Sequence, residues 1–444
     1  MRMVEREDMA FSGLKHLLVE LVVLSCLNLC NGAEPCKPDL CKLPDCFCSG
    51  ASVPNGIDPK QIPQMIMLTF DDAINMQVFP FYQTLFNDTK NPNGCNVRAT
   101  FFVSHEYTDY QLLGTLYHER HEIADHTISH RTPIEWWKKA TYQDWGSEIR
   151  GMRDILKEFG GVNEKDVRGF RAPFLQIGGD NQFKVLHDHS FMFDSSMPTW
   201  RTDPPLWPYT LDYSSAQDCV IPPCPSGSFP GLWEVPMVYH KGLQNESCSM
   251  IDDCNAPTND DDVFKFLHKN FLRHYNSNRA PFPIFMHANW FAKYSFTMKG
   301  MQRFFTEVLA KGDVYLVTVS QAIEWIKTPS PLDEIKSFSP WQCGQPAPTS
   351  PCKRSAVNVC HFPDKARYLW SCVRPCPEHY PWTENMYDAH YESPTSSSTS
   401  SSPSSSPSSS SSSSLPSSSQ SNAHRCDICL LMTLMGALSV LLVR

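Results

Sequence analysis

The sequence predicts an α/β fold built on a mainly parallel sheet or barrel, and three observations carry that prediction. Short apolar runs at residues 65–70, 99–103, 122–124, 167–170, 232–235, 283–286 and 314–319 read as buried strands. Helical stretches at 142–159, 261–275 and 298–310 lie between several of them. The first run, inside MIMLTFDD at 65–72, ends on two adjacent carboxylates, Asp71 and Asp72. Folds of this class collect active sites at the C-terminal ends of their strands. Two acids there are costly unless a cation or a proton compensates them. The plainer reading is a strand end turning into solvent, with one Asp capping the next helix.

Each element has its own signals. The helix at 142–159 is stopped by Gly160-Gly161, that at 261–275 opens with an acidic first turn, and that at 298–310 is closed by Lys311-Gly312. Residues 204–224 are too irregular for a strand or helix and read as a surface loop pinned by Cys219 and Cys224. Cys248 and Cys254 pin another loop in the same way. From 329 to 382 a proline-rich stretch carries five cysteines, with a sixth supplied by the N-terminal cluster or by Cys95. It reads as a disulfide-clasped extension wrapped on the domain.

Length and composition bound the function. The chain has 444 residues, enough for a substantial core, and a formal net charge of -9 with no basic stripe, which excludes a nucleic-acid partner. Its 18 cysteines suit an oxidising compartment. Residues 14–29 form a largely apolar run with Lys15 at its start and Arg2 and Arg6 before it, so residues 1–33 read as a signal peptide; a retained signal anchor is the alternative. Residues 34–61 are a cysteine-rich segment whose spacings lack paired C-x2-C hooks, which favours disulfides over a zinc knuckle. Residues 62–328 hold the α/β pattern and 329–391 the disulfide-rich extension. Residues 392–423 are Ser/Pro-rich, cannot bury a core and read as an O-glycosylated stalk. Residues 424–444 resemble a glycosylphosphatidylinositol signal, with a plain hydrophobic membrane anchor as the alternative; release from cells by phospholipase separates the two. Either one tethers the protein to a membrane from outside the cell.

The candidate chemistry lies in further motifs. His126 and His130, separated by three residues in HTISH, can reach one metal from a helix face or a tight turn. With a strand-end carboxylate they form a two-imidazole, one-acid set that leaves a zinc position open. Thr127 stands where the zinc-protease pattern needs its glutamate, which argues against a protease. Asp125, just before the first His, reads as an exposed acid. Arg171 in RAPF, Asp194 in DSSMPTW and His287 in FMHANW add a cation, a second acid and a second base at later strand ends.

The ordered series TFDD, HTISH, RAPF, DSSMPTW and FMHANW resembles the polysaccharide deacetylases of carbohydrate esterase family 4. LPDCFCSG, PPLWPYTLDY and the cysteine insertions look more like the animal chitin deacetylases than the bacterial peptidoglycan enzymes, without a recognisable separate chitin-binding module. The resemblance implies a distorted (β/α) barrel and a zinc or cobalt cofactor. It implies that Asp71 is the general base, that Asp72, His126 and His130 are the metal ligands, and that Arg171 orients Asp71. It makes His287 the general acid and Asp194 the partner that holds it. The Phe174 backbone N–H would face the oxyanion, and Trp200 or Trp207 would line the acetyl or sugar pocket. The implied substrate is chitin or chitooligosaccharide. Two alternatives are a non-catalytic chitin-binding matrix protein and a deacetylase of another acetylated glycan. Ala73 stands where the family has glycine, which would crowd a turn that needed positive φ at that position.

Overall fold

The computed structural model describes residues 32–344, 347–348, 351–362 and 367–385, which from residue 35 onward belong to the compact unit Pro35–Tyr391. The apolar leader run, the stalk and the anchor lie outside the described residues, among which no helix is long and apolar enough to cross a membrane.

Strand and helix alternate as expected: β1 (Gln64–Asp71), α1 (Phe79–Phe86), β2 (Thr100–Val103), α2 (Tyr110–His118), β3 (Glu122–Asp125), α3 (Tyr142–Gly160), β4 (Gly169–Phe170), α4 (Asp180–Asp188) and β5 (Phe193–Asp194). After β6 (Tyr209–Leu211) and β7 (Phe229–Glu234) come α5 (Asp260–Tyr275), β8 (Phe282–His287), α6 (Phe296–Leu309), β9 (Val314–Val317) and α7 (Val319–Lys327). A hairpin, β10 (Asn358–Phe362) and β11 (Arg367–Ser371), follows in the C-terminal extension. Helices α1, α2, α4 and α7 escape the sequence reading because each is no longer than nine residues. The expected strand at 314–319 stops at Val317, because Thr318 caps the next helix by accepting the Gln321 N–H. The C-cap of α3 is Gly161 at φ 67, a conformation glycine enters without steric cost.

The sheet order is β8-β1-β2-β3-β4-β5-β7-β6, parallel except for the β6–β7 pair. Strand β1 is its hub. One edge pairs with β8 from Ile66 to Asp71, while the other pairs with β9 at Gln64–Met67 and with β2 at Thr69–Asp71. Two strands thus share one edge of β1, and the sheet is a distorted (β/α) barrel rather than a regular eight-fold one.

All eight residues of β1 are buried, which is why it reads as an unbroken apolar run: both of its faces are covered. The period of two still sorts them. Ile66, Leu68 and Phe70 join the main core with helix residues such as Leu113, Ile149 and Phe304. Met65 and Met67 face a second core containing Phe102, Phe193, Trp207 and Trp325. Thr69 and Asp71 share the parity of Met65 and Met67, and His287 shares that of Pro283 and Phe285. Asp71 and His287 are also register partners at the ends of adjacent parallel strands.

All fourteen cysteines expected to persist are paired among the described residues. Cys36–Cys48 and Cys41–Cys46 close the N-terminal cluster, and Cys219–Cys224 and Cys248–Cys254 pin the two loops. Cys352–Cys372 and Cys360–Cys376 clasp the extension. Cys95 supplies the sixth partner by bonding Cys343.

Candidate active site

The site begins where β1 ends. Asp71 is buried, and its Oδ1 accepts a 2.5 Å hydrogen bond from Arg171 Nη1. Arg171 is wholly buried, donating also to Thr69 Oγ1 at 3.0 Å and to Ser195 O and Oγ at 2.7 and 3.1 Å. Its guanidinium lies over the Phe102 ring at 3.9 Å. Burial lowers the Arg171 pKa and the Asp71 charge opposes that shift, so the two ions stabilise one another in a site where neither would be tolerated alone.

Asp72 turns the other way. It holds φ 80, a left-handed conformation that is strained for aspartate, and its side chain is 47% exposed. The positive φ falls on Asp72 and not on Ala73, so the alanine crowds nothing. Asp72 Oδ1 lies 3.8 Å from His126 Nε2 and 3.6 Å from His130 Nε2. One ligand atom from each of these three residues falls within 4.8 Å of the others.

The two histidines come from a turn after β3, with Thr127 at φ 71 and His130 at φ 40, and their ring centroids are 4.9 Å apart. His126 Nδ1 is 2.8 Å from the Arg171 carbonyl oxygen. Donation of Nδ1–H to that carbonyl leaves the Nε2 lone pair facing Asp72, the tautomer a metal ligand needs. Burial first, then the neighbouring His130, lower the His126 pKa to about 3, which keeps the imidazole neutral. Two imidazoles and one carboxylate fit a divalent transition metal by donor chemistry.

His287 stands across the cleft at the end of β8. Its Nδ1 is 2.8 Å from Asp252 Oδ2, and its Nε2 is 3.9 Å from Asp72 Oδ2. Burial disfavours its charged form, but the hydrogen bond and charge of Asp252, together with the charges of Asp71 and Asp72, outweigh burial and raise its pKa to about 10. Asp71, Asp72, His130 and His287 all line one cleft of about 620 Å³. Phe174 lies at φ 56 with its ring centroid 4.6 Å from that of His130, and its backbone N–H has no protein partner among the described residues.

Known proteins resemble this chain in sequence. The polysaccharide deacetylase family profile covers residues 58–191. Chitin deacetylase 8 of Bombyx mori is 40% identical over 359 residues, covering 80% of this chain and 93% of that protein. The chain belongs to the polysaccharide deacetylase family. Chitin deacetylase 1 of Bombyx mori is 38% identical over 382 residues, covering 81% of this chain and 70% of that protein, which places this deacetylase in the arthropod chitin deacetylase-like group. Among solved structures, the chitin deacetylase of Colletotrichum lindemuthianum aligns at TM-score 0.32 and 14% identity over 60% of this chain and 90% of that one, too distant to add to the assignment.

Three expectations for this deacetylase need correction. Asp194 does not hold His287. It lies on β5, with β1 to β4 between it and β8 in the sheet order, and its oxygens accept from Gln182 Nε2 and from the Ser196 N–H and hydroxyl. It adds negative charge near Arg171 instead, next to the buried Glu234. Trp207 lines no sugar pocket, because it is fully buried in the second core and stacks on Trp325. Asp125 is not exposed. It is buried, accepts the Thr127 N–H at 2.8 Å and so shapes the histidine turn, and burial raises its pKa well above the usual range. Trp200 is exposed and stacks on Tyr239 with centroids 4.2 Å apart, outside the residues that line the cleft.

Two residues of the site escape the sequence reading. Asp252 sits inside the Cys248–Cys254 loop, beside Asp253, with no strand-end signal to separate one from the other. Glu148 of α3 is wholly buried and accepts the Ile128 N–H at 3.1 Å, the Ser129 N–H at 2.9 Å and the Ser129 hydroxyl at 2.5 Å. It also pairs with Arg131 at 3.0 Å. The one available signal is an acid at a core-facing position of an amphipathic helix.

Proposed function

We propose that this chain is a metal-dependent hydrolase that removes acetyl groups from N-acetylglucosamine units of chitin, releasing acetate and leaving glucosamine. The observation that carries this reading is the juxtaposition at one cleft of a three-ligand set, Asp72, His126 and His130, with a base and an acid that each have a separate partner. The kinship with arthropod chitin deacetylases supports the choice of substrate.

Asp72, His126 and His130 would hold zinc or, alternatively, cobalt. Such an ion supplies Lewis acidity towards the amide carbonyl and lowers the pKa of a water towards ~7. The remaining work falls to the chain. Asp71, paired with and aimed by Arg171, accepts the proton of the attacking water. The Phe174 N–H faces the oxygen on which negative charge develops, a contact of the kind whose loss costs about 2.7–4 kcal/mol in other enzymes. His287, oriented through Nδ1 by Asp252, presents Nε2 to the departing amine nitrogen and gives it a proton as the C–N bond breaks.

The seven disulfides support a place outside the reducing interior of the cell. The composition of 392–423 and the apolar run at 428–443 support a C-terminal tether to the membrane surface. The test of the activity is acetate release from chitooligosaccharides before and after chelation. The expected result is release that stops on chelation and returns with added zinc. Retained polymer binding with no acetate from any acetylated glycan would overturn it.

A further inference from the structure

The exposed face of the C-terminal hairpin is an aromatic strip that runs out of the catalytic cleft. In the β10–β11 register Val359 faces Trp370 and His361 faces Tyr368. Cys360, Phe362, Leu369 and Ser371 point into the protein and are buried, so the period of two sends Val359, His361, Tyr368 and Trp370 to the opposite face. Tyr368 is 47% exposed. Trp370 lines the same cleft as Asp71, Asp72 and His287. The Trp370 and Tyr368 ring centroids are 5.7 Å apart at 36°, and those of Tyr368 and His361 are 4.8 Å apart. Two further exposed side chains, Met76 and Tyr107, line the cleft itself, Tyr107 from a residue held at φ 68.

This platform is fixed in place before anything binds. Asp109 bridges to Trp370, and Arg367 Nε pairs with Glu106 Oε1 at 2.8 Å, joining the hairpin to the loop after β2 that also lines the cleft. Cys352–Cys372 and Cys360–Cys376 tie its base. A prepositioned surface loses little side-chain freedom on binding. An exposed apolar strip continuous with an active site marks a binding surface, and aromatic rings present flat faces with which the C–H faces of sugar rings pack. Among the described residues, the four side chains on this face, Val359, His361, Tyr368 and Trp370, include no Lys, Arg, Asp or Glu, which suits an uncharged repeating polymer over a peptide or a nucleic acid.

We infer that Trp370, Tyr368 and His361 form an extended binding site for sugar units of a chitin chain that lie beyond the unit being deacetylated, so that the extension sets a preference for long substrates. This rests on the functional reading above, and the experiment separates the two. In the full chain, Tyr368→Ala/Trp370→Ala is compared with the parent for kcat/KM on chitopentaose and on chitobiose, and the five-unit to two-unit ratio is expected to fall roughly tenfold. The same pair of substitutions on an Asp71→Asn background is expected to weaken equilibrium binding of chitopentaose by a similar factor. Trp370→Phe, which keeps a ring, should recover part of both losses, and exposed Tyr368→Ala alone guards against a folding defect.

An unchanged ratio with unchanged binding overturns the inference, as does a parent protein that does not bind chitopentaose at all. Absence of acetate from every substrate, with binding that still falls in the double variant, overturns the catalytic reading and leaves the binding site standing.

Discussion

The two sides of the cleft are built differently. On the metal and base side, Asp71, Asp72, His126, His130 and Arg171 come from strand ends or the turns directly after them, and their supports, Thr69, Ser195 and Glu148, belong to strands, strand-end turns and a long helix. On the acid side, His287 also ends a strand, but its partner Asp252 hangs from an irregular loop whose ends are tied by Cys248–Cys254. A parallel sheet fixes where strand ends lie to within a register step, so the first side is set by the fold. The second depends on a loop that the sheet does not position, and a disulfide provides the constraint there.

The sharpest separation lies within the Asp pair. Asp72→Ala should abolish metal retention and activity together, because it removes one of the three proposed ligands. Asp71→Asn should keep the metal and lose roughly 10²–10⁴ in kcat, since it deletes the proton acceptor and leaves Arg171 facing a neutral amide. Elemental analysis beside acetate release checks both. If Asp71→Asn also sheds the metal, the two adjacent acids do not have separate roles.

Asp252→Asn tests the acid side. It should reduce kcat by about 10²-fold or more while metal content stays full, because the amide can still hydrogen-bond Nδ1 but carries no charge to stabilise the imidazolium. The pH profile gives the sign. Asp252 raises the His287 pKa against the opposing effect of burial, and a general acid loses activity as pH rises through its pKa. Removing the charge should therefore move the high-pH limb of kcat/KM to lower pH. Asp194→Asn should leave that limb where it is, since Asp194 makes no hydrogen bond to His287 among the described residues.

These contrasts explain which parts of the molecule were legible in the sequence. Strand-end motifs carry their positions with them, so the α/β order, the three-ligand set and the Asp71–Arg171 pair follow from local pattern and family resemblance. Trp207 is not legible because an aromatic residue in an irregular, proline-rich stretch looks the same from sequence whether it lines a groove or stacks on Trp325 in a buried core. Asp194 is ambiguous for a related reason: strand-end placement holds for all such residues, but which of two acids meets His287 depends on the sheet path and on a loop 35 residues before it. Asp125 reads as polar and exposed in any one-dimensional pattern, and its burial becomes intelligible only once the Thr127 N–H it satisfies is seen.

The smallest expected effect concerns Glu148, and it asks how far the metal side depends on its support. Its carboxylate accepts two successive backbone N–H groups and a hydroxyl from the turn between the two histidines, while Arg131 balances its charge. A glutamine there keeps the shape but turns one acceptor into a donor that faces N–H groups. The turn should then relax, with His130 moving more than His126, since His126 is held separately by the Arg171 carbonyl. Metal affinity should fall by about 10–100-fold, as for other residues that orient ligands without touching the metal, and kcat at saturating zinc should change far less. Competition with a chromophoric chelator measures the first and acetate release the second. Full affinity in Glu148→Gln would mean that the strained turn, with Thr127 and His130 both at positive φ, holds its form through the sheet and helix packing alone.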